Sequence, residues 1–78
     1  MTNQEKYEKA FIDTFGMSKD RLVDLKYQQI PQWDSVGHMS LIAALEEAFD
    51  IMFDTDDIID FSSFEKGKEL LKKYNVEL

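Results

Sequence analysis

Apolar residues recur at intervals of three and four positions along this chain, and that periodicity limits its regular structure to helices. In the first stretch the recurring residues are Tyr7, Ala10, Phe11, Thr14 and Phe15. This spacing lines one face of an α-helix and predicts a first helix from about Asn3 to Phe15. Gly16 follows directly, where a residue that tolerates positive φ commonly ends a helix.

The segment from Gly16 to Trp33 has no sustained amphipathic period, so we predict a long packed loop that can include one helical turn. Pro31 supports a loop because it biases the preceding residue, Ile30, toward extended geometry. The residues expected to anchor the loop to the core are Leu22, Val23, Leu25, Tyr27 and Ile30.

A second helix is predicted from about Ser35 to Phe49. Asp34 and Ser35 are both residue types that cap helix N-termini. The apolar residues that follow at helical spacing are Met39, Ile42, Leu45 and Phe49, with Leu41 and Ala48 alongside.

Two further helices are predicted near the C-terminus. Asp54 as N-cap and Asp57 in the first turn indicate a third helix of one or two turns, carrying Ile58, Ile59 and Phe61.

Ser62 and Glu65 have the spacing of a capping box, and they predict a fourth helix from about Ser63 to Tyr74. No strand pattern is present. The chain is therefore expected to form one all-α domain over residues 1–78, a small bundle of three longer helices and a short third one.

Cysteine is absent from the 78 residues, so neither a disulfide nor a thiolate zinc site can stabilise the fold. Packing between the helices must therefore stabilise the fold by itself. The lack of cysteine and of an apolar signal stretch near Met1 favours a cytoplasmic location. We also expect a monomer that does not insert into membranes, because no apolar run approaches the roughly 20 residues of a membrane-spanning helix.

The acidic residues are segregated from the basic ones. The net charge is −7, which argues against nucleic-acid binding, since that needs clustered Lys and Arg. No Lys or Arg lies between Lys26 and Lys66. The acids in that interval are Asp34, Glu46, Glu47, Asp50, Asp54, Asp56, Asp57, Asp60 and Glu65. This segregation favours a recognition surface for partners that carry basic patches.

Three kinds of chemistry can be considered. Trp33 replaces the first glycine of a G-x-S-x-G nucleophile elbow. His38 lies three residues after Ser35, but no third residue of a catalytic triad is evident, so catalysis is not expected.

Asp54, Asp56 and Glu65 match positions 1, 3 and 12 of a calcium-binding EF-hand loop. Ile58 and Ile59, however, stand where that loop requires an oxygen ligand and a glycine. No metal site is predicted.

Covalent modification of Ser35 is the third candidate, because a phosphate ester there would meet the free N–H groups of a helix start. From the residues alone, a plain N-cap is the simpler role of Ser35.

The motif Asp34-Ser35-Val36 stands before an apolar helix, Leu41 to Phe49, which contains the acidic pair Glu46-Glu47 and ends in phenylalanine. The acidic segment Asp54 to Ile58 follows. In these motifs, and in helix order and length over nearly the whole chain, the sequence resembles the acyl carrier proteins. The resemblance implies that the chain is not an enzyme. It implies that Ser35 carries 4′-phosphopantetheine, attached from coenzyme A by a separate phosphopantetheinyl transferase that uses Mg²⁺. The thiol of this arm would hold an acyl, hydroxyacyl or aminoacyl group as a thioester.

The resemblance also implies the partner-binding residues. Asp34 and Val36 would contact the transferase, and the residues facing acyl-loading and acyl-receiving enzymes would be Ala43, Glu46, Glu47, Asp54 and Asp57. The core able to open around an acyl chain would be lined by Leu41, Ile42, Leu45, Phe49, Ile58 and Phe64.

The chain departs from the family pattern at three positions of the second helix. Val36 replaces the usual leucine, and Gly37 and Ser40 replace residues that are commonly acidic. These changes, with a D-S-x-G-H motif similar to that of discrete carriers, favour a specialised pathway over housekeeping fatty acid synthesis. Such a pathway would make an unusual lipid, a polyketide, a surface saccharide or another secondary metabolite. The alternative is a non-covalent acidic helical module for protein interaction.

Overall fold

The fold is all-α, as predicted, in a computed structural model that describes residues Met1–Leu78. Its helices are α1 (Asn3–Phe15), α2 (Ser35–Phe49), α3 (Thr55–Asp60) and α4 (Phe64–Lys72). A single 3-10 turn, Lys19–Arg21, interrupts the long loop between α1 and α2. None of the helices is both long and apolar enough to cross a membrane.

The ends of α1 and α2 coincide with the predicted ones because local signals define them. Thr2 and Glu5 form a reciprocal capping box at the start of α1. Gly16 ends that helix in the left-handed conformation, with φ of 66°. At α2 the Asp34 carboxylate accepts a hydrogen bond from the Gly37 N–H, and Asp50 ends the helix with φ of 53°.

The start of α4 differs from the prediction. Ser63, rather than Ser62, caps this helix, and its hydroxyl accepts a hydrogen bond from the Lys66 N–H at 2.9 Å. Ser62 lies outside because its carbonyl accepts a hydrogen bond from the Tyr27 N–H at 2.9 Å. The predicted capping box of Ser62 and Glu65 is therefore wrong, since a loop partner distant in sequence holds Ser62.

The start of α3 also needs correction. Asp54 occupies the N-cap position, but its side chain makes no capping hydrogen bond. Its backbone N–H instead donates to the Tyr74 hydroxyl at 2.9 Å. This six-residue helix is consequently held in place by contacts with other elements rather than by its own cap.

Sixteen buried hydrophobic residues form one core that all of the longer helices share. Trp33 is fully buried at its centre and packs on Phe11 and Phe15 from α1, with ring centroids 5.5 and 5.3 Å away. Leu22 and Leu25 anchor the loop as predicted, whereas Val23 is wrong as an anchor because it is 57% exposed. Of the six residues expected to line the core, four are buried, and Phe49 and Ile58 are partly buried against it.

Candidate functional site

Ser35 is the first residue of α2 and is exposed to solvent. Capping is performed by the neighbouring Asp34, whose Oδ1 lies 2.8 Å from the Gly37 nitrogen. The Ser35 hydroxyl therefore has no part in capping the helix N-terminus. Because α2 starts at this residue, the backbone N–H groups of Ser35 and Val36 have no intrahelical acceptor. A free hydroxyl thus stands beside two free donors at the positive end of a 15-residue helix.

Gly37 allows the preceding loop to lie against the first turn of α2. A Cβ at this position would overlap the Gln32 carbonyl oxygen. The Gln32 side chain in turn donates from Nε2 to the Phe15 carbonyl at 3.2 Å, which ties the loop to the end of α1. Gly37 thus has a packing role, and it helps to fix the loop leading to Ser35.

His38 is engaged through both ring nitrogens. The Trp33 Nε1–H donates to Nδ1 at 2.9 Å, and Nε2 lies 2.7 Å from the Ile58 carbonyl oxygen. An indole nitrogen only donates, so Nδ1 must accept, and the ring proton resides on Nε2. Neither nitrogen is free to take a proton from Ser35. Trp33 also stacks on His38, so it fastens the end of the loop to α2.

An apolar strip borders Ser35 on the outer face of α2. Val36 is 75% exposed and Met39 is 53% exposed. These two side chains line an open depression together with Ser35, Ser40 and Ala43. The predicted contact residues Asp34, Val36 and Ala43 are therefore all at the surface and close to the serine.

Most of the segregated acids are exposed and make no ion pair. Six exposed carboxylates make no ion pair with any Lys or Arg, and we call them the acidic surface: Asp34, Glu47, Asp50, Asp54, Asp56 and Asp60. Glu46 is only half-exposed, and its Oε2 accepts a hydrogen bond from the Phe53 N–H at 2.9 Å. Of the predicted acidic contacts, Glu47 and Asp54 are thus fully available.

Asp57 is the exception, and its prediction as a partner-binding residue is wrong. Its side chain is buried, with the residue 2% exposed. The carboxylate accepts hydrogen bonds from Lys73 Nζ at 2.6 Å and from the Tyr74 hydroxyl at 2.5 Å. Lys73 first, and Tyr74 next, hold the pKa of this carboxyl below its usual range. The hydrogen bond to Asp57 raises the pKa of Lys73, and desolvation raises that of Tyr74. Asp57 therefore joins α3 to the end of α4.

A pocket of about 280 Å³ lies where α2, α3 and the long loop meet. We call it the α2–α3 pocket, and its lining residues are Tyr27, His38, Ile58, Ile59, Phe61 and Ser62. No arrangement of three or more His, Cys, Asp or Glu side chains that could hold a metal ion is present, and the EF-hand positions Asp54, Asp56 and Glu65 form no such group.

Two long-range tethers of α3 were not evident from the sequence: the His38 contact with Ile58, and the Asp57 contact with Lys73 and Tyr74. Each joins residues 16 or more positions apart. The only signal in the sequence was the predicted length of α3, because a helix of one or two turns is not stable by itself. Comparisons with protein-family models, curated proteins and solved structures gave no match for this chain.

Proposed function

We propose that this chain is a carrier protein that accepts 4′-phosphopantetheine on Ser35 and holds an acyl group on it. The observation that supports this function best is the separation of two roles at the start of α2. Asp34 caps the helix, which leaves the Ser35 hydroxyl exposed and free of any structural hydrogen bond. The resemblance of Asp34-Ser35-Val36 and its surroundings to the acyl carrier proteins supports the same assignment.

The residues at this position fit a phosphodiester. The free N–H groups of Ser35 and Val36 can donate to phosphate oxygens, and the helix dipole favours negative charge there. The apolar strip of Val36 and Met39 offers a surface for the neutral part of the arm. When bound, the group supplies a thiol, which the chain itself lacks because it has no cysteine.

The chain supplies the attachment point and not the catalyst. Both ring nitrogens of His38 are occupied, and no other imidazole exists in the sequence, so no internal base of this type can activate Ser35. Attachment therefore requires a separate transferase that provides the base and Mg²⁺. We place the protein in the cytoplasm, where coenzyme A and such a transferase would meet it.

Partners would approach the outer face of α2. The apolar strip beside Ser35 can pack against a partner's apolar surface, while the acidic surface beyond it attracts basic patches. The helix carries no acid from Ser35 to Leu45, so steering charge comes from Asp34 and from residues at and beyond the end of α2. For loading and receiving enzymes of a specialised pathway, this distribution would place one basic contact beside the serine, at Asp34, and the others toward and beyond the end of α2.

A labelling experiment tests this function. The purified chain is incubated with a fluorescent coenzyme A conjugate, Mg²⁺ and a broad-specificity phosphopantetheinyl transferase. We expect one label on the unsubstituted chain and on Ser40→Ala, and none on Ser35→Ala. Ser40 is a matched control because it is an exposed serine on the same helix. Equal labelling of Ser35→Ala would contradict the assignment.

The acidic surface also supports a second function, a non-covalent module that binds basic proteins. Six exposed carboxylates without ion pairs are the observation that favours it. The two functions differ at Ser35, because the interaction module requires no modification there. A folded chain that several transferases fail to label, yet that binds a basic partner in a salt-sensitive manner, would identify the second function.

A further inference from the structure

Ser35 lies on the side of α2 that faces α3. Ser35 and His38 are three positions apart on α2, so they are neighbours on one face of that helix. From this face His38 reaches α3, with its Nε2 2.7 Å from the Ile58 carbonyl oxygen. A spacing of three residues is just under about one turn of an α-helix. The attachment serine is therefore about one turn away from a direct contact between the two helices.

Two exposed residues of α3 follow that contact directly. Ile59 is 73% exposed, and it lines the α2–α3 pocket together with His38. Asp60, the last residue of α3, is exposed and makes no ion pair. Neither residue belongs to the hydrophobic core. The C-terminal end of α3 thus presents one apolar and one acidic side chain to solvent beside α2.

Exposed apolar side chains are concentrated around the start of α2. The protein has seven exposed large hydrophobic residues. The three that adjoin Ser35 or His38 are Val36, Met39 and Ile59. Single apolar residues are normal on a surface, whereas a group of them with a polar rim marks a protein interaction site. Asp34 on α2 and Asp60 on α3 provide that rim. The surface around Ser35 consequently has two walls, one from each helix.

His38 holds the second wall in place. The helix α3 has only six residues and no side-chain cap, so it is not stable by itself. Trp33 stacks on His38 and donates its indole N–H to Nδ1 at 2.9 Å, which directs the Nε2 proton at the Ile58 carbonyl. The other tether of α3, through Asp57, leads to the end of α4 and not to α2. His38 therefore sets the position of α3 relative to Ser35.

We propose that Ile59 and Asp60 form a second wall of the surface on which a phosphopantetheinyl transferase docks, and that His38 is the positioning residue that holds this wall beside Ser35. The inference rests on the proposed function and adds two contacts from α3 to those implied by the sequence. Continuity with the attachment point carries it, because an enzyme that acts on Ser35 must cover the residues around it. The transferase would place an apolar side chain against Ile59 and a basic one against Asp60.

Labelling kinetics test this docking surface. The full chain is incubated with a fluorescent coenzyme A conjugate, Mg²⁺ and a broad-specificity phosphopantetheinyl transferase, and KM and kcat are measured for the chain as substrate. Ile59→Ser should raise KM about fivefold and leave kcat unchanged, because Ile59 binds the transferase but does not touch the reacting hydroxyl. Met52→Ser is the matched control and should keep the KM of the unsubstituted chain. Met52 is 82% exposed and precedes α3, at the opposite end of that helix from Ile59.

The acidic member of the wall has its own control. Asp60→Asn should raise KM about twofold at low salt, and the difference should disappear at high salt because exposed charges are screened. Glu77→Gln removes the same charge from an exposed residue beside the start of α1. The loop before Ser35 is instead tied to the end of α1, so Glu77→Gln should leave KM unchanged.

A double-mutant cycle tests the positioning role of His38. In a His38→Phe background the ring cannot donate to the Ile58 carbonyl, so adding Ile59→Ser should no longer raise KM. His38→Gln retains an N–H donor and should restore the effect of Ile59→Ser. If His38 only stabilised the fold, Ile59→Ser would raise KM by the same factor in every background.

The outcomes separate this proposal from the carrier function. Labelled Ile59→Ser and Asp60→Asn chains with the KM of the unsubstituted chain would overturn the second wall and leave the carrier function standing. Independent effects of His38→Phe and Ile59→Ser would overturn the positioning role. Absence of label on the unsubstituted, folded chain would overturn the carrier function and this inference with it.

Discussion

Asp34 Oδ1 accepts a hydrogen bond from the Gly37 backbone N–H at 2.8 Å, and this contact assigns the start of α2 to Asp34 alone. Two adjacent residues that are both good caps by type are thereby divided between two tasks. Asp34 stabilises the helix, and Ser35 projects its hydroxyl into solvent. A change at Ser35 can consequently be made without disturbing the fold.

The first prediction follows from that division. Asp34→Ala removes the cap and should lower the free energy of unfolding by about 1 kcal/mol. Ser35→Ala should change it by less than about 0.5 kcal/mol, because an exposed hydroxyl without a structural bond is lost. Urea denaturation followed by circular dichroism measures both. Equal destabilisation by the two variants would show that Ser35 shares the capping role.

Gly37 provides a second prediction, in which packing opposes helix propensity. Alanine is favoured over glycine inside a helix by about 1 kcal/mol. The new Cβ would nevertheless overlap the Gln32 carbonyl oxygen, and overpacking typically costs about 1–3 kcal/mol. We expect Gly37→Ala to be destabilised by about 1 kcal/mol or more, since this neighbour is backbone and cannot move aside freely. Ser40→Ala, on the exposed face of the same helix, should stay within about 0.5 kcal/mol of the unsubstituted chain. A more stable Gly37→Ala would contradict the close loop contact.

Trp33 carries a third prediction because it is fully buried at the centre of the core. Truncating a buried tryptophan to alanine costs about 3–5 kcal/mol. That is as much as a core of this size supplies in total, so Trp33→Ala should be largely unfolded at room temperature. Val23→Ala is the control, because Val23 is mostly exposed and should lose less than about 0.5 kcal/mol. The helical circular-dichroism signal reports both outcomes, and a helical Trp33→Ala would be inconsistent with the packing described.

The buried carboxylate of Asp57 predicts an acid dependence of stability. Its pKa is lower in the folded chain than in the unfolded one, so the unfolded chain binds more protons at low pH. The stabilisation is therefore present above the ordinary aspartate value of about 4 and is lost as the pH falls through and below it. Asp57→Asn should remove this part of the pH dependence and should be less stable at neutral pH, because Lys73 loses its partner.

Thermal unfolding between about pH 7 and pH 2.5 measures this effect. Asp56→Asn serves as the control, since it removes the same charge from the adjacent exposed residue. We expect its pH profile to follow that of the unsubstituted chain. Identical profiles for Asp57→Asn and Asp56→Asn would show that the bonds to Lys73 and Tyr74 do not stabilise the fold.

Features that depend on neighbouring residues were predictable from the sequence. The bounds of α1 and α2 follow from apolar spacing together with Gly16 and Asp34, both of which act within one helical turn. The position of Ser35 at a helix start followed for the same reason. Ser62 and Ser63 were not distinguishable, because the choice between them depends on a hydrogen bond from Tyr27, 35 positions before Ser62.

Features that depend on distant residues were not predictable. Asp57 appeared to be one more acid in an exposed run, and only the approach of Lys73 and Tyr74 shows that it is buried. His38 similarly gains its role from the Ile58 carbonyl, which no residue pattern encodes. Both cases concern α3, which is too short to be stable by itself and relies on the rest of the fold.

The intact mass of the chain, before and after incubation with coenzyme A, Mg²⁺ and a broad-specificity phosphopantetheinyl transferase, shows whether Ser35 accepts the prosthetic group. The carrier function predicts a gain equal to one phosphopantetheine group on the unsubstituted chain, none on Ser35→Ala, and one free thiol on a protein that has no cysteine. No gain with several transferases, on a chain whose circular dichroism shows it to be folded, would contradict that function.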